Sequence, residues 1–237
     1  MRDQYAGDIS DFLKFSLLRS IVSKRMRLGI AWYYIAGHDR RADGRHLEYL
    51  DERSWRDLDP QLYDALESIR YNRSVRALEE LQIWRTSTLF HSDAVEAVSK
   101  RVAWAEGMGN HLTASDIVFA DPDNGLSKDG VVHRKSATLD EIKMLCATDR
   151  PVVLIRFPGR IGKHLKQLEM HHSRLASFRP LTLQTCVTVR NKNGSACPRI
   201  RWFSILNASG EIRRNIQDFQ RRLASIGGVK VEVTGIR

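Results

Sequence analysis

The sequence Asp-Pro-Asp-Asn-Gly at residues 121–125 is the densest group of chemically useful side chains in the chain. It follows the apolar run at residues 117–120, which predicts a short buried strand. In open α/β sheets, ligands bind at the carboxyl ends of the strands, so Asp121 occupies a position expected for a reacting group. Together, Asp121, Asp123 and Asn124 could hold a cation, a ribose or an amino group. The alternative is a turn that only ends the strand, because all these residue types are turn formers.

A second polar loop, residues 37–46, follows a predicted strand at residues 28–35. The loop after the first strand is where α/β folds place a cofactor, although this one is not a GxGxxG fingerprint. Its two histidines could be ligands or proton carriers, and we expect the loop to lie near Asp121 at one edge of the sheet. The candidate cofactor-binding residues are Gly37, His38, Asp39, Asp43 and His46.

The charge of the chain is unevenly distributed. The formal net charge is +10, yet residues 150–237 alone carry 17 Lys and Arg against 4 Asp and Glu. A surplus of this size is typical of a surface that faces a polyanion, because each cation that meets a phosphate releases a condensed counterion. The sequence therefore predicts a nucleic-acid partner, either RNA or DNA. The alternative is a basic surface that only aids solubility.

Two groups of basic residues are candidates for contacts with phosphates. The first surrounds Pro158-Gly159 and could form a phosphate-binding turn that leads into a helix, and the second lies beside a predicted hairpin turn at Asn193-Gly194. Trp202 and Phe203 point to opposite faces of the second hairpin strand, so one of them could be exposed for base stacking, with core packing as the alternative. His171 and His172 are interpreted as surface residues. The candidate contacts are Arg156, Arg160, Lys163, Lys166, Arg199 and Arg201.

The pattern of apolar runs predicts one α/β domain over residues 1–237. An amphipathic helix at residues 8–25 precedes the first strand, and apolar positions at helical spacing predict a helical insertion at about 55–108. Strands at 117–120 and 152–157 flank a helix, which predicts parallel pairing, and two later strands form an antiparallel hairpin. The expected fold is Rossmann-like, with a mainly parallel sheet and a C-terminal antiparallel hairpin.

Composition limits the classes of protein to which the chain could belong. The cysteines Cys146, Cys186 and Cys197 are too few and too irregularly spaced for a disulfide framework or a metal knuckle. The first residues do not resemble a signal peptide, and no apolar run reaches membrane-spanning length. We therefore expect a cytoplasmic protein with no structural metal and no membrane contact, and the sequence leaves its oligomeric state open.

The N-terminal segment resembles that of the bacterial 23S ribosomal RNA adenine-N6 methyltransferases. These have Gly, Asp and a Leu-Lys pair at the spacing of Gly7, Asp11, Leu13 and Lys14, and their catalytic Asp-Pro-Pro-Tyr motif begins as residues 121–122 do. This chain continues with Asp and Asn where that family has Pro and Tyr. Parts of the sequence also resemble an uncharacterised bacterial family that shares the patterns at residues 7–11, 43–46 and 121–125.

The first resemblance implies a Rossmann-type methyltransferase that uses S-adenosylmethionine on nucleic acid. It implies that Asp121 orients the acceptor and that Lys14 approaches the same site. Two further hypotheses remain open. Asp121 and Asp123 could bind Mg²⁺ in a nuclease or phosphoester hydrolase, with His38 or His46 positioning water. Alternatively, the chain could bind nucleic acid without catalysing a reaction.

Overall fold

The structure is a computed structural model. It describes residues 1–37, 46–157, 159, 162–177, 181–190, 199–226 and 230–236. Within these ranges the chain forms a single mixed sheet of seven strands with helices on both faces. The strands are β1 (Leu28–Trp32), β2 (Leu89–His91), β3 (Ile117–Asp121), β4 (Val152–Arg156), β5 (Leu181–Arg190), β6 (Arg199–Leu206) and β7 (Lys230–Ile236).

The helices alternate with the strands along much of the chain. The α-helices are α1 (Ile9–Ile21), α2 (Pro60–Ser68), α3 (Val75–Glu79), α4 (Arg101–His111), α5 (Leu139–Leu145), α6 (His164–Ala176) and α7 (Gly210–Ala224). Short 3-10 helices lie at Asp3–Tyr5, Glu48–Asp51, Arg53–Trp55, Val98–Lys100 and Ala147–Asp149. No helix among the described residues is both long enough and apolar enough to cross a membrane.

The strand order is β2-β1-β3-β4-β6-β5-β7. The first four strands in that order pair in parallel. The remaining pairings, β4 with β6, β6 with β5 and β5 with β7, are antiparallel. This arrangement confirms the predicted α/β, Rossmann-like fold with parallel strands and a C-terminal antiparallel hairpin. The terminal strand β7 extends the antiparallel part beyond the hairpin.

The segment at about 55–108, which the sequence predicted to be helical, also contains a strand. Its helices α2, α3 and α4 were expected, but β2 lies between α3 and α4 and pairs in parallel with β1. The strand has only three residues, two of them half-buried, so its hydrophobic pattern is too short to distinguish it from a helical segment. Pairing with β1 makes this segment a strand.

Alternate residues of the central strands bury into two separate cores. Phe119 of β3 and Ile155 of β4 pack with α1 and α7, whereas Val118 and Leu154 pack with α4 and α5. Trp202 and Phe203 of β6 also face opposite sides, and both are fully buried because helices cover the sheet on both faces. Both side chains therefore pack in the core, and neither is exposed for base stacking.

Close packing also constrains individual glycines. In β1, a Cβ atom on Gly29 would clash with Ser115 Oγ and would lie 3.0 Å from Ser115 Cβ. By contrast, Gly107 in α4 is exposed, and a Cβ atom there would meet nothing within 4 Å. The two glycines thus differ in the space around them, although both lie inside regular elements.

Gly29→Ala is expected to lower the free energy of unfolding by about 1–3 kcal/mol, because it overpacks the contact between β1 and Ser115. Adding Ser115→Gly should restore part of the loss. Gly107→Ala should instead raise the free energy of unfolding by up to about 1 kcal/mol, because alanine is the better helix former. Urea denaturation of the three variants tests this; equal effects of the two alanine substitutions would contradict it.

Candidate functional site

The order of the parallel strands places a topological switch point between β1 and β3. From β1 the chain forms β2 on one side and then returns to form β3 on the other side. Trp32 at the end of β1 is in register with Asp121 at the end of β3. A crevice beyond the carboxyl ends of strands at such a point is the usual ligand site of open α/β sheets. Asp121 therefore lies at the edge where a site is expected.

A buried lysine links this edge to the first helix. Lys14 of α1 donates from Nζ to Asp121 Oδ2 at 3.0 Å and to Asp11 Oδ1 at 2.9 Å. The Lys14 side chain is 4 % exposed and the two carboxylates are 1 % and 3 % exposed. Removing one partner from a buried ion pair commonly costs about 3–5 kcal/mol, since the remaining charge is left uncompensated. The structure thus brings together Lys14 and Asp121, as the family resemblance implied.

The N-terminal sequence of α1 explains why Asp11 holds this position. Asp8 caps the helix and accepts from Ser10 N at 2.7 Å and from Asp11 N at 3.3 Å. The second oxygen of Asp11 accepts from Gly7 N at 2.8 Å, and Gly7 has a φ of 76°, which favours glycine. Tyr49 donates from its hydroxyl to Gly7 O at 3.0 Å. Turn, cap and helix together fix the carboxylate beside Lys14.

The protonation of this buried cluster follows from its surroundings. Burial is the largest effect on Asp11 and raises its pKa to about 7, against the opposing attraction of Lys14. Burial by itself lowers the pKa of Lys14, but the carboxylates of Asp11, Asp121 and Asp8 outweigh it, so the pKa lies above its ordinary value. Lys14 is therefore a permanent cation at neutral pH and cannot serve as a general base. Burial thus brings the pKa of Asp11 close to neutrality.

The turn after β3 positions the other predicted residues. Asp123 Oδ1 lies 2.6 Å from the amino group of Met1, which also donates to Tyr33 O at 2.7 Å. Asn124 donates from its backbone N to Lys135 O at 2.8 Å, and its side chain is exposed. Asp121 and Asp123 thus contact different cations. Among the described residues, no group of three or more His, Cys, Asp and Glu side chains is arranged to hold a metal.

Gly125 ends the turn in close contact with β4. Its φ is +68°, and a Cβ atom would lie 2.7 Å from Arg156 Cγ and 3.3 Å from Arg156 Cα. Glycine is therefore required both for the backbone conformation and for the approach of the turn to Arg156. This contact places the backbone and the first side-chain carbons of Arg156 beside the turn after Asp121.

The loop after β1 is described only in part. Gly37 has a φ of 92°, and its carbonyl accepts from Arg2 at 3.4 Å. His46 accepts at its carbonyl from Ile9 N at 3.1 Å, and its ring lies 4.0 Å from Glu48, so it adjoins the start of α1. The predicted cofactor residues His38, Asp39 and Asp43 lie outside the described residues.

An acidic residue after β2 was not among the residues predicted from the sequence. Asp93 follows this strand by two residues and is exposed, and its carbonyl accepts from Trp104 at 3.1 Å. Val95 donates to Tyr34 O at 2.7 Å, which holds this segment beside the chain leaving β1. An acid at the end of the neighbouring strand is the usual ribose ligand of dinucleotide-binding folds. Asp93 could have been found only by recognising β2.

The predicted nucleic-acid contacts fall into three groups. Lys163 and Lys166 are exposed at the start of α6, as expected for phosphate contacts. Arg156 ends β4 and is half-buried. Arg160 and the side chains of Arg199 and Arg201 lie outside the described residues. The assignment of His171 to the surface is wrong, because α6 buries it completely against β6.

Comparison with known proteins supports the fold. No family model matches the chain, and no curated protein matches it. A solved structure, protein LPL1258 from Legionella pneumophila str. Philadelphia 1, family-model DUF519, is similar with a TM-score of 0.59 and 10% sequence identity. The similarity covers 97% of each chain. At this identity the likeness concerns the fold, which is of the Rossmann-like α/β class.

Asp11→Asn provides a test of the buried cluster through the pH dependence of stability. Asp11 has a folded-state pKa of about 7 against an ordinary value of 3.8, so the folded protein binds the proton more tightly. The contribution of Asp11 to stability is complete below the unfolded-state pKa and is lost as pH rises towards the folded-state pKa. The free energy of unfolding of the wild type minus that of Asp11→Asn should therefore fall by up to about 1.4 kcal/mol per pH unit in this window.

Asp64→Asn is the matched control. Arg56 lowers the pKa of the exposed Asp64 carboxyl by a hydrogen bond, so the contribution of Asp64 is present at higher pH and lost as pH falls through its lowered pKa. The two variants should differ from the wild type with opposite pH dependence in urea denaturation. A pH-independent difference for Asp11→Asn would show that its carboxyl titrates normally.

Proposed function

We propose that this protein is a methyltransferase-like enzyme that uses S-adenosylmethionine to modify nucleic acid. The observation that carries the proposal is the buried pair of Lys14 and Asp121 at the switch point between β1 and β3. The motif resemblance of residues 7–14 and 121–122 selects methyl transfer from the reactions that such a site could support. The buried pair and the motif resemblance have one carboxylate in common, Asp121.

The cofactor would lie across the ends of β1 and β2. Exposed Asp93 offers a carboxylate to the two ribose hydroxyl groups, and the segment that carries it is hydrogen-bonded to the chain leaving β1. Gly37 and His46 are the two residues that flank the adjoining loop. These groups fit a ribose and a polar tail, although the loop has no glycine-rich sequence. When bound, the cofactor supplies an electrophilic methyl group.

Asp121 would orient the acceptor amino group. Lys14 occupies its Oδ2 atom, and none of the described residues donates a hydrogen bond to Oδ1. An amino group that donates to Oδ1 would be held with its lone pair directed away from the carboxylate, and the carboxylate would stabilise the positive charge that develops during attack. Lys14 fixes the carboxylate but, as a permanent cation, cannot remove the proton that the nitrogen loses on methylation, so this proton would pass to solvent water.

The residues after Pro122 would hold the acceptor by hydrogen bonds. Asp123 and Asn124 stand where the resembling family has Pro and Tyr, so this turn provides no aromatic ring for stacking. The exposed Asn124 amide can donate to and accept from the edge of a base. The basic residues that follow β4, including exposed Lys163 and Lys166 at the start of α6, would contact the phosphates.

The first test measures cofactor binding by thermal shift and calorimetry. A cofactor that binds only the folded state stabilises it by about 2.7 kcal/mol at one hundred times its dissociation constant. We expect a shift with S-adenosylmethionine that Asp93→Asn weakens about tenfold in affinity. Asp57→Asn, which changes an exposed carboxylate before α2, should leave the shift unchanged. No shift at millimolar cofactor in the wild type would reject the proposal.

The second test follows transfer of a labelled methyl group to unmodified ribosomal RNA transcripts and to unmethylated DNA. Asp121→Asn should retain the thermal shift with S-adenosylmethionine and lower the rate of methyl transfer at least a hundredfold. The neutral amide cannot stabilise the positive charge that develops on the acceptor nitrogen. Cleavage of either nucleic acid with Mg²⁺, abolished by chelator, would instead support the hydrolase. Nucleic-acid binding that survives Asp121→Asn without cofactor binding would support a non-catalytic protein.

A further inference from the structure

On the other face of the sheet, basic side chains gather behind the turn at residues 121–125. Arg156 of β4 lies opposite Trp202 of β6, and its guanidinium carbon is 5.7 Å from the centre of the indole ring. His171 of α6 bonds through Nε2 to Ser204 Oγ at 3.0 Å, which places the helix over the same strand. Arg174 lies one helical turn further along α6. We call Arg156, His171 and Arg174 the rear cluster.

Three hydrogen-bonding groups of the rear cluster have no partner within the described ranges of the chain. Arg156 Nε, Arg174 Nε and His171 Nδ1 are each buried, and none has a hydrogen-bond partner among the described residues. Arg174 does pair with Asp129 through its Nη2 atom. Buried polar groups in proteins are almost always satisfied, so orphaned groups require an explanation, and a bound ion is one of them. Here all three orphaned groups belong to side chains that can donate hydrogen bonds.

The electrostatics of the rear cluster also favour an anion. Burial lowers the pKa of Arg156, and the neighbouring charge of Arg174 lowers it further. Burial, followed by Arg156 and Arg174, lowers the pKa of His171 to about 3, so this imidazole is neutral and can donate from Nδ1. Asp129 is the carboxylate that pairs with Arg174, and its side chain is 75% exposed. A bound anion would relieve the repulsion between the two guanidiniums.

We infer that the rear cluster binds one phosphate group of the nucleic-acid acceptor, an inference that rests on the proposed function. A phosphate presents several oxygens in a tetrahedral arrangement and can accept from donors on two different elements, whereas a carboxylate presents only two oxygens in one plane. Gly125 packs directly against Arg156, so the bound phosphate lies beside the turn that follows Asp121. The rear cluster anchors the strand next to the nucleotide that the turn receives.

The test is equilibrium binding of a fluorescent single-stranded RNA to the whole protein over a range of salt concentrations. Arg156→Met keeps an unbranched aliphatic side chain beside Gly125 and removes the charge. We expect it to weaken binding about tenfold and to reduce the slope of log affinity against log salt by about 0.7, the loss of one phosphate contact. Because Arg156 and Arg174 share one phosphate, the double variant with Arg174→Met should lose no more slope than Arg156→Met alone.

Two variants serve as controls. Asp129→Asn removes the ion pair with Arg174 but leaves the positive charge of Arg174 in place. RNA binding by this variant should therefore be maintained or strengthened. Arg214→Ala removes an exposed charge on α7, on the opposite face of the sheet, and should leave the slope unchanged. Thermal unfolding of each variant checks that folding is retained.

Equal effects of Arg156→Met and Arg214→Ala would overturn the inference, as would additive losses of slope in the double variant. Absence of RNA binding by the wild type would also overturn it. The cofactor shift of the wild type is measured separately, so failure of the rear cluster is distinguishable from failure of the proposed methyl transfer. Retention of the shift with no effect of Arg156→Met would refute only the phosphate site.

Discussion

The ion pairs of Lys14 with Asp11 and Asp121 link the first helix to the carboxyl end of β3. These side chains are almost completely buried, so each charge depends on the others for compensation. The capping of α1 by Asp8 and the turn at Gly7 hold one end of this network, and the parallel register of β1 with β3 holds the other. The geometry of the candidate site therefore depends on the start of α1 and on the pairing of β1 with β3.

Because the central sheet is covered on both faces, its carboxyl edge offers different chemistry on each side. Asp121 and Lys14 lie on the side of α1, where the proposed methyl transfer would occur. Arg156 and His171 lie on the side of α6, where each has a buried nitrogen with no hydrogen-bond partner in the part of the chain that the structure describes. Gly125 lies between them, since its missing side chain lets the turn after β3 pack against β4. An acceptor strand crossing this edge would meet the carboxylate and the cations in succession.

Part of the candidate site could be predicted because it is local in sequence. Asp121 follows an apolar run directly, so the strand and the polar turn that ends it are encoded by neighbouring residues. Asp93 could not be predicted in this way, because β2 is short and half-buried and becomes a strand only by pairing with β1. His171 was assigned to the surface since a polar residue in a basic helix is usually exposed, yet α6 packs that position against β6.

The sequence by itself determined the α/β class, the positions of most helices and strands, and the polar turn at the end of β3. These features follow from hydrophobic periodicity and turn chemistry, which act over a few residues. Only the tertiary structure decided that Lys14 meets Asp121, 107 residues away, and that Arg156 lies over Trp202. Contacts of this kind depend on which strands become neighbours and which helix faces turn inward. Pairing between distant segments and exclusion of water fix those choices, and neither is encoded in a local pattern.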